Sequence, residues 1–436
     1  MHIFAYILTV ISLLLGAAHF MRDGNNGLML FLMLLPLLFT IRKRYILHIL
    51  AGALIILAVG WVQTALKIYE TRVLMGMPAM RMLIIMFAVY IFTLISVFTL
   101  YSKKMKLLYP RQSSDIVATT AFFLTFFLIG FPFLKVDFPV ILLERFLPGF
   151  GWLQIGLMSL YAAFVAEKLF QKHLIKKWRR IIWTIFSVVF FLQLLLGLTG
   201  IEKMLMTGEL HLPVPAIILA GPIYRLELSF MVFLFLGSML LLGPAWCSYL
   251  CYFGIWDNYA ADSKKRQSQK SPNALLIRII FLLLVIAVAV ILNIAGISGL
   301  VATLLGAFFG IAGIFIMIFI SRKKGVMVHC TTYCPVGTLA VLAGKISPFR
   351  IAISSSCNAC MRCTTVCRYN ALGKAEVLNR KPNINCTLCG DCVNECEDKI
   401  SAVNYRFLKL KPETARMIFV ILAASLHTVF MAIGRV

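Results

Sequence analysis

Twelve cysteines in a chain of 436 residues fall into four groups, and two of these groups carry the same spacing. CNACMRCTTVC (357–367) and CTLCGDCVNEC (386–396) both read C-x2-C-x2-C-x3-C. Three thiolates spaced by two residues wrap one face of an iron–sulfide cubane, and the fourth, three residues on, projects to the other cluster in two-cluster ferredoxins. That logic assigns Cys357, Cys360, Cys363 and Cys396 to one [4Fe-4S] cluster and Cys386, Cys389, Cys392 and Cys367 to the other. Zinc held by four thiolates usually takes C-x2-C pairs separated by a longer loop, unlike either motif.

The other four cysteines lie in WCSYLCYFG (246–254) and HCTTYCPVG (329–337), which share C-x3-C-x2-G. At i and i+4 on a helix two side chains share a face, so Cys247 with Cys251, and Cys330 with Cys334, each offer two ligands. If the two helix ends meet, the four thiolates hold a third metal centre. A dithiol/disulfide switch within each pair and plain packing of a small apolar residue are the alternatives. His329, beside Cys330, is a further ligand, a proton carrier or a packing residue.

Composition names the elements that must position these groups. With 61% hydrophobic residues and a mean hydropathy of +0.92 the chain exceeds what a soluble domain can bury, so a polytopic membrane protein is expected. About eleven apolar windows approach the length needed to cross ~30 Å of hydrocarbon. They lie near 3–20, 27–41, 45–66, 82–101, 117–134, 151–169, 181–199, 226–245, 274–293, 300–320 and 415–433. The second is short and carries Pro36. The opening apolar run lacks a basic leader segment and runs into another span, so it reads as a first transmembrane helix and not a secretory signal.

The net charge of +25 is distributed as punctuation between spans, at RKR (42–44), SKKMK (102–106), KHLIKKWRR (172–180), SKKRQSQK (263–270) and SRKK (321–324). It does not form one basic patch with interleaved aromatics, so nucleic acid is not expected as a partner. All five clusters fall on one side of an eleven-span topology, which places the N-terminus in the cytoplasm and the C-terminus outside. The four cysteine groups fall on the same side, where thiols stay reduced and metal ligation is the natural use.

The expected fold class is therefore an all-α polytopic bundle of about eleven transmembrane helices with a small α+β ferredoxin-like domain. A four-helix module (1–112) ends at the polar break YPRQSSD. A six-helix bundle with both C-x3-C motifs (113–344), a cytoplasmic two-cluster domain (345–412) and a last span (413–436) follow. Two proline-bracketed outer segments, 135–151 and 209–225, are too short to span and read as interfacial, re-entrant or plain loops.

A multispan bundle with two C-x3-C motifs at helix ends and a bacterial-type two-cluster domain resembles the NapH/NosR/CcoG group of membrane-bound ferredoxins, NapH most of all. The resemblance covers about 113–400. It implies electron transfer between the quinone pool and a redox partner, a soluble donor or a respiratory reductase subunit, in a bacterial or archaeal inner membrane. Its CcoG side implies a factor that assembles or regulates another metalloenzyme. In the family each motif usually ends Cys-Pro, whereas here Cys367 precedes Arg368, Cys396 precedes Glu397 and Cys251 precedes Tyr252; only Cys334 keeps its proline, Pro335.

Other cofactor chemistries find little support. No G-x-G-x-x-G follows a strand and no G-x4-G-K-[ST] occurs, so nucleotide sites are not expected. His19, His48 and His427 sit in spans without a convincing haem pairing, His19 and His427 toward the outer side, and a lone intramembrane histidine more often bonds a neighbouring helix. Glu202, Lys203, Glu209 and His211 crowd one outer loop, where they read as solvated charge or, alternatively, as proton donors and acceptors for a quinone.

Overall fold

A computed structural model describes residues 2–136, 138–205, 212, 214–227, 230–265, 274–397 and 402–433. The chain forms two compact units, one up to Phe164 and one from Val165.

The first unit contains α1 (His2–Arg22), α2 (Asn26–Leu34), α3 (Arg44–Leu74), α4 (Met80–Leu100), α5 (Lys103–Leu108), α6 (Asp115–Lys135), α7 (Leu142–Phe146) and most of α8 (Gly151–Phe170). Small residues recur along the buried face of α1, Ala5, Ser12, Gly16 and Ala17, so that α1 lies close to α4 and the Ser12 and Ser96 hydroxyls meet at 2.8 Å. One core runs through Leu50, Tyr109, Ala118, Phe122 and Leu153. The polar break after residue 112 therefore does not separate packing units, because α6 packs against α3.

The second unit contains α9 (Ile175–Leu198), α10 (Pro215–Arg225), α11 (Phe230–Leu242), α12 (Trp246–Tyr249), α13 (Gly254–Asp262), α14 (Ala274–Ile294), α15 (Gly299–Phe315), α16 (Arg322–Lys324) and α17 (Pro335–Ile346). The ferredoxin-like lobe follows: β1 (Phe349–Ile353), α18 (Arg362–Val366), α19 (Lys374–Leu378), α20 (Asp391–Glu395) and β2 (Val403–Phe407), before the closing helix α21 (Pro412–Ala432). The strands pair antiparallel from Phe349 with Phe407 to Ile353 with Val403. Tyr405 stacks on Phe419 at 4.5 Å between ring centroids, which seats the sheet on α21.

Ten helices among the described residues are long and apolar enough to cross a membrane, one fewer than the sequence suggests. The difference is 27–41. Pro36 lacks an amide hydrogen, and the chain tightens there from α2 into a 3-10 turn over Leu35–Thr40, leaving a piece shorter than a standard span. It doubles back along α1, so that Phe39 meets the Tyr6 ring at 4.6 Å. The spans carry apolar side chains on their open faces, such as Leu276, Ile280, Leu283 and Ile291 on α14, as a lipid-facing helix must.

The segment 135–151 forms the short α7, and Glu144 accepts the Gly149 and Gly151 amides at 2.7 and 2.6 Å. In 209–225 the described part is α10, which packs on α14, α15 and α17. Its start lies against Gly310 through Val214, and its end meets the α14–α15 turn, where the Tyr224 hydroxyl donates to the Ile297 carbonyl at 2.6 Å. Glu209, His211 and Pro213, and residues 266–270 of the basic loop, lie outside the described residues.

Candidate iron–sulfur centres

The two C-x2-C-x2-C-x3-C motifs fold as near copies. Each begins with a loop in which two residues take positive φ, Ala359 and Met361 in the first and Leu388 and Gly390 in the second, at equivalent positions. Each then enters a five-residue helix, α18 or α20, that carries the third cysteine, and these helices pack on each other. Left-handed residues turn the backbone so that three side chains point to one centre.

Cys357, Cys360, Cys363 and Cys396 line one cavity, together with Met361, Val377 and Val403. Burial pushes the Cys363 thiol up to about 11, and Cys357, Cys360, Cys367 and Cys396 add to it. Cys392 is pushed well up by burial and then by Cys389, Cys386, Cys367 and Cys363. The cysteines of the two motifs therefore lie close enough to act on one another. Cys360 is exposed, whereas Cys367 and Cys392 are buried, so the first set faces the outside of the lobe.

The C-x3-C motifs depart from the expected α-helical i, i+4 geometry. In both, the second cysteine's amide bonds to the carbonyl of the residue before the first cysteine, Cys251 to Trp246 at 3.2 Å and Cys334 to His329 at 2.9 Å. This i→i+5 closure makes a π-type turn, a widening that often marks functional sites. A new helix starts directly afterwards, α13 or α17. The Cys251 sulfur receives the Phe253 and Gly254 amides, and the Cys334 sulfur those of Val336 and Gly337. Burial still pushes these thiols up, to about 11 and about 12.

All four of these thiols converge. Cys330 is pushed well up by burial and then by Asp257, Cys334, Cys251 and Cys247. The two halves supply matching pieces: a span, a widened turn with two cysteines, and a helix whose first amides point at the second sulfur. Arg278, only 2% exposed within α14, lies beside them; its Nη2 donates to the Gly337 carbonyl at 2.7 Å and its Nη1 to Asn385 Oδ1 at 2.6 Å.

The donor sets suit a cluster better than a single ion. A tetrahedral zinc ion with bonds of ~2.3 Å needs sulfurs roughly 3.8 Å apart. Among the described residues the group of three or more metal-type donors lying within 4.8 Å of one another is Asp257, His329 and Cys330, and no all-cysteine set is so tight. The spacing, the thiol chemistry and the inward-turned loops therefore fit cubane clusters.

The C-x3-C motifs grip the lobe directly. Between Cys247 and Cys251, the Ser248 hydroxyl donates to the Thr387 carbonyl at 2.9 Å and the Tyr249 hydroxyl to the Cys389 carbonyl at 3.0 Å. Trp183, Ile255, Ala261, Met327 and Tyr369 form one small core against which both Cys330 and Cys389 pack. The indole of Trp183 donates to the Cys251 carbonyl at 2.6 Å.

Several of these residues were not singled out by sequence reasoning. KHLIKKWRR looks like a headgroup cluster, yet Lys176 pairs with Glu395, Arg179 with Asp391 and Arg180 with Asp262. Asp257, fully buried, takes the Cys330 amide at 2.9 Å on Oδ2. The available signals were an arginine inside an apolar span, ALLIRIIF, and an aspartate six residues after Cys251. The residues that follow three of the motif-ending cysteines make contacts of their own. Arg368 bonds Asp262 and the Gly325 carbonyl, Glu397 pairs with Arg362 at 2.5 Å, and Tyr252 stacks on Phe190 at 4.0 Å.

The histidines are held by polar neighbours. His48 Nδ1 meets the Tyr101 hydroxyl at 2.8 Å, and His19 Nε2 meets Asp23 and Thr64. His427 does not lie on the side opposite the cysteines: its Nδ1 is 3.1 Å from the Tyr249 carbonyl, within the first C-x3-C motif. Glu202 and Lys203 lie in a short 3-10 turn and are exposed.

Gly390 gives a direct test of the second loop. It has φ +83°, and a Cβ there would stand 2.5 Å from the Tyr405 hydroxyl and 2.8 Å from Ile175 Cγ2. Gly390→Ala is expected to cost about 1–3 kcal/mol through crowding, read as a lower unfolding temperature with accelerated loss of bound iron; an unchanged protein would show that the loop yields freely.

A family model described as a 4Fe-4S binding domain matches residues 226–268 and 303–354, together under a quarter of the chain. These stretches contain Cys247, Cys251, Cys330 and Cys334 and end before Cys357. No curated protein and no solved structure matches the chain. A polytopic membrane bundle and a 4Fe-4S binding domain are thus combined in this one protein.

Proposed function

We propose that this protein carries electrons between a cytoplasmic-side ferredoxin domain and the quinone pool or a respiratory redox partner. Two [4Fe-4S] clusters belong to the lobe, on Cys357, Cys360, Cys363 and Cys396 and on Cys386, Cys389, Cys392 and Cys367. A third belongs to Cys247, Cys251, Cys330 and Cys334, as the family match over these residues supports. The bound clusters supply one-electron redox chemistry, while the chain sets their spacing, burial and surrounding charge.

The observation that carries this reading is the shared core under Cys330 and Cys389. Packing and hydrogen bonds link the two groups, since Ser248 and Tyr249 bond the carbonyls of the second loop. The exposed Cys360 edge is where a soluble donor would approach. Arg278 and Arg179 bring positive charge to the deeper sets, offsetting the cost of negative clusters away from water.

The NapH-type resemblance favours a multi-pass bacterial or archaeal inner-membrane protein with the N-terminus and ferredoxin domain cytoplasmic. In the test, protein reduced with dithionite and freed of excess reductant is mixed with a water-soluble quinone analogue. Rapid reoxidation of the cluster absorbance is expected; indifference to the quinone removes the quinone arm of the proposal.

A second reading, a factor that matures or regulates another metalloenzyme, draws on Asp257, His329 and Cys330. Oxygen, nitrogen and sulfur donors together suit one transition-metal ion. One non-iron metal ion per chain, lost in Asp257→Ala, would favour it.

A further inference from the structure

The first unit holds no cysteine, yet its sequence brings together RKRY (42–45) and YSKKMKLLYPRQSSD (101–115). The start of α3, the end of α4 and the start of α6 meet there around a cavity of about 270 Å³ whose lining includes Arg44, His48, Lys106, Arg111 and Asp115. That volume lies below the roughly 300–1,000 Å³ of pockets that engulf a whole drug-sized ligand, so the space suits a headgroup.

Its charges are unbalanced. The one carboxylate, Asp115, is committed to backbone: Oδ1 accepts the Tyr45 amide at 3.2 Å and Oδ2 the Gln112 amide at 2.5 Å. Arg44 spends Nε on the Tyr109 carbonyl and Nη2 on the Lys106 carbonyl. The side chains of Lys106 and Arg111 have no hydrogen bond or ion pair among the described residues. Three cations thus surround one cavity with a single opposing charge. The Tyr101 hydroxyl, which burial holds in its neutral form, and His48 add polar groups to the wall.

The cavity is also apolar in part. Leu47 and Ile116 line it, and Ile116 is 55% exposed beyond it. Leu107 on α5 is 81% exposed, as a residue reaching into a bilayer interface would be. Free phosphate would satisfy the cations alone, whereas a phospholipid would satisfy both kinds of surface.

We propose that this cavity binds the phosphate-bearing headgroup of an anionic phospholipid, with Lys106, Arg111 and Arg44 as its cationic contacts. The experiment compares phosphatidylglycerol, phosphatidylcholine and inorganic phosphate by thermal shift on the full chain in detergent. Phosphatidylglycerol is expected to raise the unfolding temperature saturably and phosphatidylcholine not. In K106Q/R111Q the half-saturating concentration should rise about tenfold or more.

K103Q/K104Q removes the same charge from exposed positions outside the cavity and should leave half-saturation unchanged. On the unaltered chain, phosphatidylglycerol should shield Lys106 from an amine-reactive label more than Lys103 or Lys104. Equal responses to the two lipids, equal losses in the two double variants, equal labelling of the three lysines, or full stabilisation by inorganic phosphate would each overturn the assignment.

Discussion

Replacing Arg179 with alanine is expected to be the most damaging single change to the second unit, costing about 3–5 kcal/mol. Arg179 is fully buried, and its Nε and Nη2 meet the two oxygens of Asp391 at 3.1 and 2.8 Å. Asp391 sits two residues after Cys389 and one before Cys392, so the pair ties α9 to the second cysteine loop. The substitution strands a buried carboxylate there, and bound iron should be lost along with stability. Adding Asp391→Leu to Arg179→Leu removes both charges and should recover much of the loss. Unfolding in detergent with increasing denaturant measures both; a double variant as unstable as Arg179→Leu alone would show that pairing is not the source of the cost.

Arg278→Leu is expected to lower the reduction potential of the centre at the C-x3-C cysteines most, and that of the set containing Cys386 less, since Arg278 also bonds Asn385 beside it. Both Arg278 Nη2 and the Cys334 Cβ lie within 3.6 Å of the place where a Cβ on Gly337 would stand, so the guanidinium is within about 7 Å of that Cβ and within about 9 Å of the sulfur. A charge at that separation and an effective dielectric constant near 20 contributes roughly 2 kcal/mol, or on the order of 100 mV for one electron. Its removal disfavours the more negative, reduced state, and the potential falls. Redox titration followed by electron paramagnetic resonance reads the shift. Arg278→Lys should retain most of the original potential, whereas a variant with all potentials unchanged would dissociate Arg278 from any redox role.

Much of this arrangement is legible in the sequence because thiolate spacing is local. Cys357 to Cys367 and Cys386 to Cys396 carry their geometry within eleven-residue stretches, and each stretch folds as a loop with two positive-φ residues that leads into a short helix. Apolar runs are equally local, and nearly all of the expected spans form helices. What eluded sequence reading depends on distant partners. Arg179 and Asp391 are 212 residues apart, and nothing near KKWRR distinguishes a lipid contact from a buried ion pair. The segment with Pro36 misled for the opposite reason: its composition is membrane-like, but one missing amide changes its helix type and shortens it. The C-x3-C spacing suggested one helical face, whereas the following helices, starting at Gly254 and Pro335, draw each turn open.

The central claim is that all twelve cysteines hold iron, in three centres. Iron and acid-labile sulfide per chain, counted on anaerobically purified protein, test it most directly. About twelve irons and twelve sulfides are expected, falling to about eight of each in Cys330→Ser. About eight irons in the unaltered protein, unchanged by Cys330→Ser, would contradict it.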